Sequence, residues 1–408
     1  MFDLSNKFYN RMYKKDLYFG DNKEKVPLFD FYAKCMLLVA VLSRVLFAAL
    51  AIMISLKTEN GLIVSPFVEV QAGDYPFYWQ NSVDSFATLK EPFLFFFQGG
   101  SFEDWFQTKL HPGPIFPWLL NVLNYPKQPI YLASIYLMAS SLLVFGWVLY
   151  YRAREVSLWG QLALIAYPLA LWYSLALSTE LPMSVALFIF FCGALATRQF
   201  PFWGISSVLT GFILMLMIRP NSLCLFPAVL FVIFLNRDDM SRWLAVVIFV
   251  LITIIFVYFV AYYAPYFHMM QEASRASINV TYWGLHTQQY SEGLFPNLPL
   301  LLDKVISNVA LIASKVIYAS GLRPSYSGTS TLLISFRLMA GVLVLPGIFY
   351  CIYRGSWLES ILLFGFLFPL LITVGQERYL LPIAPLLLLY GGIFWKDLFL
   401  YIRNRFIL

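Results

Sequence analysis

Five short polar stretches interrupt an otherwise apolar chain, and each carries side chains able to do chemistry. They are Gly73-Asp74-Tyr75, His111-Pro112-Gly113-Pro114, Ser178-Thr179-Glu180, Arg219-Pro220-Asn221 and Gln376-Glu377-Arg378-Tyr379. Asp74 sits among Tyr75, Phe77, Tyr78 and Trp79. Partial desolvation makes such a carboxylate more basic, able to take a proton from a hydroxyl nucleophile. The plain alternative is a solvated aspartate in a turn. His111, held by Pro112 and Pro114, could bind a phosphate or a hydroxyl, or could serve packing alone. Glu180 follows Ser178 and Thr179 where a helix should start, as an ordinary first-turn acid would. As a second acid it could also orient an acceptor, or share a metal with Asp74. Arg219 and Arg378 are costly beside an apolar core and need a partner or a ligand. An arginine fork grips phosphate through two hydrogen bonds. The alternative for both is snorkelling to lipid headgroups, or an ion pair. Arg337 is a weaker candidate of the same kind, and Tyr75, Glu377 and Tyr379 stand close enough in sequence to support an acceptor.

Hydropathy defines the elements that must position these residues. Of 408 residues, 60% are hydrophobic and 12% charged, with a mean hydropathy of +0.71. Soluble domains are about a quarter charged, so a soluble protein is excluded. Apolar runs of roughly 17–25 residues match a bilayer. They predict an all-α polytopic membrane protein with about ten spans: 33–55, 130–150, 157–177, 181–197, 203–218, 222–235, 243–264, 332–353, 357–374 and 379–395. Arg or Lys in every intervening inside loop places both termini in the cytoplasm and all five polar stretches outside. Residues 1–30 form a basic arm and 396–408 a basic tail. The net charge of +6 therefore sets orientation and does not imply nucleic acid.

Two long outside loops, 56–128 and 265–331, are expected, and loops of that length are usually functional. Segments 83–98 and 102–110 read as short interfacial helices. The 299–320 stretch is apolar but broken by Asp303, Lys304 and Lys315, and reads as interfacial or re-entrant. Were it to span, every later orientation would flip. The chain, 1–408, reads as one transmembrane domain without an internal repeat. Its first apolar run begins near Phe31, too late for a cleavable signal peptide, so a retained anchor is expected. Cys35, Cys192, Cys224 and Cys351 read as buried small hydrophobes, with no metal spacing. Asn279-Val280-Thr281 fits a glycosylation acceptor pattern, a common chance match.

In order and sidedness these motifs resemble the GT-C superfamily of integral-membrane glycosyltransferases, which use polyprenyl-phosphate sugars. Four features carry the likeness over most of the chain. They are the acidic first outside loop at Gly73-Asp74-Tyr75 and the His111-Pro112-Gly113-Pro114 segment before the second span. Thr179-Glu180 with Arg219-Pro220-Asn221 is the third, and Glu377-Arg378-Tyr379-Leu380-Leu381-Pro382 with Pro385 the fourth. The resemblance implies a GT-C-like helical core and interfacial helices in the first loop. It also implies a catalytic acid at Asp74 assisted by Glu180, and a donor phosphate held by Arg378, Arg219 and His111. The chain lacks the family's long soluble carboxy-terminal domain and a paired acid beside Asp74. No cofactor is therefore required by the pattern, and a divalent cation is left open.

What the likeness implies is inverting transfer of a sugar, a hexose such as glucose, at the outer face of a bacterial inner membrane. The partners would be a polyprenyl-phosphate sugar, a surface glycan or lipid-linked saccharide acceptor, and membrane lipid, with no nucleic acid. The compact size is similar to that of O-antigen-modifying glucosyltransferases rather than protein mannosyltransferases. A glycan polymerase or ligase with a lipid-diphosphate donor is the second class. A lipid-linked-sugar transporter is the third, ranked last because transporters place charges near mid-membrane and often show repeats.

Overall fold

The computed structural model describes residues 26–58, 86–108, 113–123, 129–167, 170–171, 174, 178–197, 199–236, 242–276, 281–282, 285–295, 297–322, 331–372 and 377–406. In chain order its helices are α1 (Val26–Thr58), α2 (Glu91–Phe97), α3 (Phe102–Phe106), α4 (Ile115–Val122), α5 (Pro129–Ala153) and α6 (Leu158–Ile165). They continue with α7 (Glu180–Ala196), α8 (Pro201–Ile218), α9 (Phe226–Leu235), α10 (Arg242–Ala276), α11 (Thr287–Glu292), α12 (Leu300–Ala319), α13 (Thr331–Arg354), α14 (Trp357–Ile372) and α15 (Ala384–Phe406). A two-residue hairpin, Thr281–Tyr282 against Leu285–His286, is the sole sheet among the described residues. Within α1, α5, α8, α10 and α15 lie five segments long and apolar enough to cross a membrane, and four shorter apolar helices accompany them. This is an all-α membrane protein.

Small residues let the helices approach closely, as lipid offers no hydrophobic drive of its own. Helices α7 and α8 form an antiparallel hairpin. A side chain at Gly204 would meet the Thr197 backbone, and one at Gly211 the Phe190 backbone. Helices α13 and α15 cross at Gly347 and Gly391, where an added Cβ would collide with the Leu387 and Leu343 carbonyls. The first span, α1, lies antiparallel to α5. Arg44 reaches Ser140 at one level, and the Arg152 guanidinium covers the Tyr32 ring at another.

Prolines govern much of the rest. A helical proline has no N–H, so the carbonyl four residues earlier loses its partner. In lipid, water does not replace it. Two such carbonyls, and two more left open at helix ends, are claimed by aromatic donors from other elements. Just before α7, the Ser178 carbonyl accepts from Tyr136 Oη at 2.7 Å. At the end of α8, the Leu216 carbonyl is taken by Tyr263 Oη at 2.6 Å. Pro265 frees Ala261, taken by Trp105 Nε1 at 2.6 Å. Pro346 frees Val342, taken by Trp395 Nε1 at 2.9 Å. The Trp105 bond ties the short loop helix α3 to the long span α10.

Several expectations need correction. The predicted span 157–177 does not run as one helix: α6 stops at Ile165, three residues before Pro168, and 178–179 form a bend. Arg44 Nη1 donates to the Ile165 carbonyl at 2.7 Å, satisfying one group that the break exposes. The predicted spans at 222–235 and 379–395 each open with a 3-10 turn, Pro220–Leu225 and Glu377–Ile383. The 299–320 stretch is helix α12, outside the set of candidate spans. Its Asp303, Ser307, Ser314 and Lys315 are buried, while Leu301, Val305, Val309 and Ile312 are exposed. Asp303 interrupts the hydropathy because it holds the preceding turn, accepting from the N–H groups of Leu294 and Phe295 at 3.0 and 2.9 Å. Only Cys351 among the four cysteines is buried, and Cys192 is exposed on an apolar helix. Asn279 and Val280 of the glycosylation pattern lie outside the described residues.

Trp105→Phe should destabilise the protein by about 1–3 kcal/mol, the penalty of an unsatisfied buried carbonyl. In a Pro265→Ala background the helix supplies its own N–H, so the same substitution should cost much less. Thermal unfolding of the four proteins in micelles measures this, and equal losses in both backgrounds would refute the account.

Candidate functional site

Proline chemistry also shapes the polar end of the molecule. Pro220 disfavours helical geometry at the residue before it, so Arg219 is extended, with φ −146° and ψ 140°. The chain leaves α8 there and turns into the 3-10 segment Pro220–Leu225. Ser222 Oγ donates back to the Met215 carbonyl at 2.7 Å, closing the end of α8. This bend turns the Arg219 side chain towards the start of α7.

There its Nη2 meets Glu180 Oε1 at 2.5 Å and its Nε donates to Thr179 Oγ1. Glu180 is fully buried and the Arg219 side chain is 11% exposed. A carboxylate in the first turn of α7 is favoured by the helix dipole, but burial of the acid requires the arginine as well. Thr179 is not an N-cap by side chain; its hydroxyl serves Arg219 instead. Both ends of the pair are fixed by tyrosine donors. Tyr136 holds the Ser178 carbonyl one residue before Thr179, and Tyr263 holds the Leu216 carbonyl three residues before Arg219.

Other polar stretches come to the same place. Gly113 lies so tightly on the end of α8 that a Cβ would overlap the Ile218 carbonyl oxygen. This brings Gly113, from the His111-Pro112-Gly113-Pro114 stretch, against the residue that precedes Arg219. The 3-10 turn Glu377–Ile383 packs on α7, and its Pro382 lines a cavity of about 20 Å³ with Arg219, Asn221, Met183, Phe366 and Pro369. Four of the five polar stretches thus converge through described residues. Asp74, Tyr75 and His111 lie outside those residues, as do the side chains of Glu377, Arg378, Tyr379 and Arg337. The backbone places Glu377, Arg378 and Tyr379 in the turn that packs on α7, whereas Arg337 is in α13. No group of three metal-ligating side chains occurs among the described residues.

The opposite end holds a second charged cluster that sequence reading did not single out. Glu359 accepts from Tyr150 Oη at 2.8 Å, Tyr390 Oη at 2.7 Å and the Ser356 N–H at 2.7 Å, and pairs with Arg154 at 3.2 Å. Its oxygens are satisfied by protein groups from α5, α14 and α15, so the cluster reads as a structural clamp. Tyr136 and Tyr263 were likewise missed at the site. No sequence signal names them, because a helix end leaves carbonyls open without saying which donor fills them.

Comparison of the chain with protein-family models, with curated proteins and with solved structures gives no match in any of the three. The geometry therefore carries the functional argument alone.

Removing one partner of the buried pair should be severe. Glu180→Gln or Arg219→Met should each cost about 3–5 kcal/mol, because an uncompensated charge is left inside. The double substitution should lose much less than the sum. Unfolding measurements on the three variants test this, and simple additivity would mean that the pair does not act as a unit.

Proposed function

We propose that the protein is an inverting membrane glycosyltransferase that uses a polyprenyl-phosphate sugar. The observation that carries this is a small cavity lined by Arg219, Asn221 and Pro382, with Thr179-Glu180 paired to that arginine and Gly113 packed on the end of α8. Transfer of a sugar from a lipid phosphate needs a cationic group held rigidly where the phosphate charge grows. Arg219, fixed by Thr179 and Glu180, meets that need, and Arg378 lies in the turn that reaches the same cavity.

In this mechanism the prenyl chain lies in lipid and the phosphate is held by Arg378 and Arg219, with His111, two residues before Gly113 in the sequence, as a third phosphate-binding group. As the glycosidic bond breaks, the departing phosphate takes the bonding electrons. The acceptor hydroxyl attacks the anomeric carbon from the other face and yields its proton to Asp74. Glu180 acts through Arg219 as a positioning residue, with Tyr75, Glu377 and Tyr379 supporting the acceptor. The proposed topology has ten spans, both termini cytoplasmic and the site on the outer face of a bacterial inner membrane. No divalent cation is written into the mechanism.

The test is transfer of labelled sugar from a panel of polyprenyl-phosphate sugars to host surface glycan by purified protein. Wild type should transfer from one donor. Asp74→Asn should drop below about one-hundredth of that rate while staying folded. Arg219→Lys should keep the fold better than Arg219→Met yet raise the donor KM. Activity retained in Asp74→Asn would remove that residue from the mechanism. Transfer only from lipid-diphosphate oligosaccharide would assign the site to a polymerase or ligase.

A further inference from the structure

Helix α12 is built inside out. Asp303, Ser307, Ser314 and Lys315 are buried, whereas Leu301, Leu302, Val305, Ile306, Val309 and Ile312 are exposed. At helical spacing the six aliphatic residues form one stripe, on the far side from Asp303, Ser307 and Ser314. The buried stripe is satisfied within the protein. Asp303 Oδ1 accepts from Ser307 Oγ at 3.0 Å as well as from the Leu294 and Phe295 N–H groups. Ser314 Oγ donates to the Ala310 carbonyl at 2.8 Å and lies 3.5 Å from Tyr290 Oη. A helix facing water carries the reverse pattern. Six adjoining aliphatic side chains turned outward call for an apolar medium or a partner.

The place of α12 in the fold identifies which. Its start is joined to α11 and the Thr281–His286 hairpin, which follow α10. That end of α10 carries Tyr263, the donor to the Leu216 carbonyl three residues before Arg219. The other end of α12 reaches α13 at Gly341, where an added Cβ would meet the Leu322 side chain and the Ser320 carbonyl. The adjacent Ala340 packs with Leu381, from the turn whose Pro382 lines the Arg219 cavity. Both ends of α12 therefore lie at the Arg219 end of the molecule. Its 20 residues, about 30 Å, are long enough to cross a bilayer, yet its ends stand on one side. Helix α12 also packs on α14, where Phe364 and Phe368 are exposed, so outward apolar surface is present on both sides of that contact.

We propose that α12 lies along the bilayer, in the leaflet at the Arg219 end, with its aliphatic stripe in the acyl chains and without crossing. The occupant of its apolar face is bilayer lipid, continuous with the lipid around α14. Lys304, exposed at the flank of the stripe, reaches the headgroups. Because α12 adds no crossing, α13 starts on the side of the membrane where α10 ends. The proposal is independent of the sugar-transfer reading, since it concerns lipid contact and its test involves no sugar.

The experiment is a cysteine scan of positions 300–313, one at a time, in the full chain with its four native cysteines replaced by alanine. Each protein is spin-labelled in vesicles of phosphatidylcholine and phosphatidylglycerol. Collisions with oxygen, which enters the acyl chains, are compared with collisions with a water-soluble nickel chelate. The preference for oxygen should repeat about every 3.6 residues. It should peak at Val305, Val309 and Ile312, severalfold above Lys304, with every label on one side of the bilayer centre. Depths that pass through the centre along the helix would make α12 a span and overturn the proposal. Labels at Val305 and Val309 shielded from both reagents would put a protein partner on the stripe, and labels reached mainly by nickel would put it in water; either overturns the proposal. If the cysteine-free chain does not fold, a photo-crosslinking residue at Val305 of the otherwise unchanged chain decides. Attachment to lipid supports the proposal, and attachment to protein overturns it.

Discussion

A backbone carbonyl that loses its helical N–H inside a bilayer must find another donor, because lipid offers none. Pro265 and Pro346 create such carbonyls inside α10 and α13, and the start of α7 and the end of α8 leave two more, at Ser178 and Leu216. Tyr136, Tyr263, Trp105 and Trp395 answer them across element boundaries. Each bond therefore does two things. It satisfies a polar group, and it fixes one element against another at a defined residue. The high aromatic content, 19% of the chain, supplies apolar bodies with a single polar tip, which suits this role.

The Arg219 end depends on the same constraint. Ser178 and Leu216 carry the open carbonyls at the two helix ends that present Thr179-Glu180 and Arg219. Without tyrosine donors those ends would carry unsatisfied carbonyls and would have reason to rearrange. With them, the extended backbone at Arg219 is held in place, and the guanidinium is aimed at a buried acid. The Glu180–Arg219 pair is then favourable for a specific reason: Thr179 and the first turn of α7 share in satisfying it, so desolvation of two charges is offset locally. The result is a small cavity beside a cation held in place by the backbone and the buried acid.

The two ends of the molecule use charge differently. At the Glu359 end, four groups from the protein use both oxygens of one carboxylate, and the result locks helices together. At the Arg219 end, the ion pair borders open space shared with Asn221 and Pro382. Composition cannot separate these cases, since both are an arginine and a glutamate near helix ends. Burial alone cannot separate them either, because both carboxylates are buried. The cavity beside the guanidinium makes the difference.

Hydropathy by itself determined that the chain is an all-α membrane protein, because spans are short-range patterns whose length the bilayer imposes. It located most helices, and it marked Glu180 and Arg219 as polar residues at helix ends. It also exposed the anomaly at 299–320, since Asp303 and Lys315 break an apolar run whether or not their partners are known. Sequence could not show that Glu180 and Arg219 pair, being 39 residues apart, or that Gly113 and Pro382 arrive beside them. Nor could it show that the run at 157–177 stops at Ile165, because apolar periodicity does not register a helix end hidden inside a hydrophobic stretch. Those facts were decided only by tertiary structure. Helix order along the chain leaves lateral packing open, and packing is chosen by which small residues permit contact and which donor reaches each freed carbonyl.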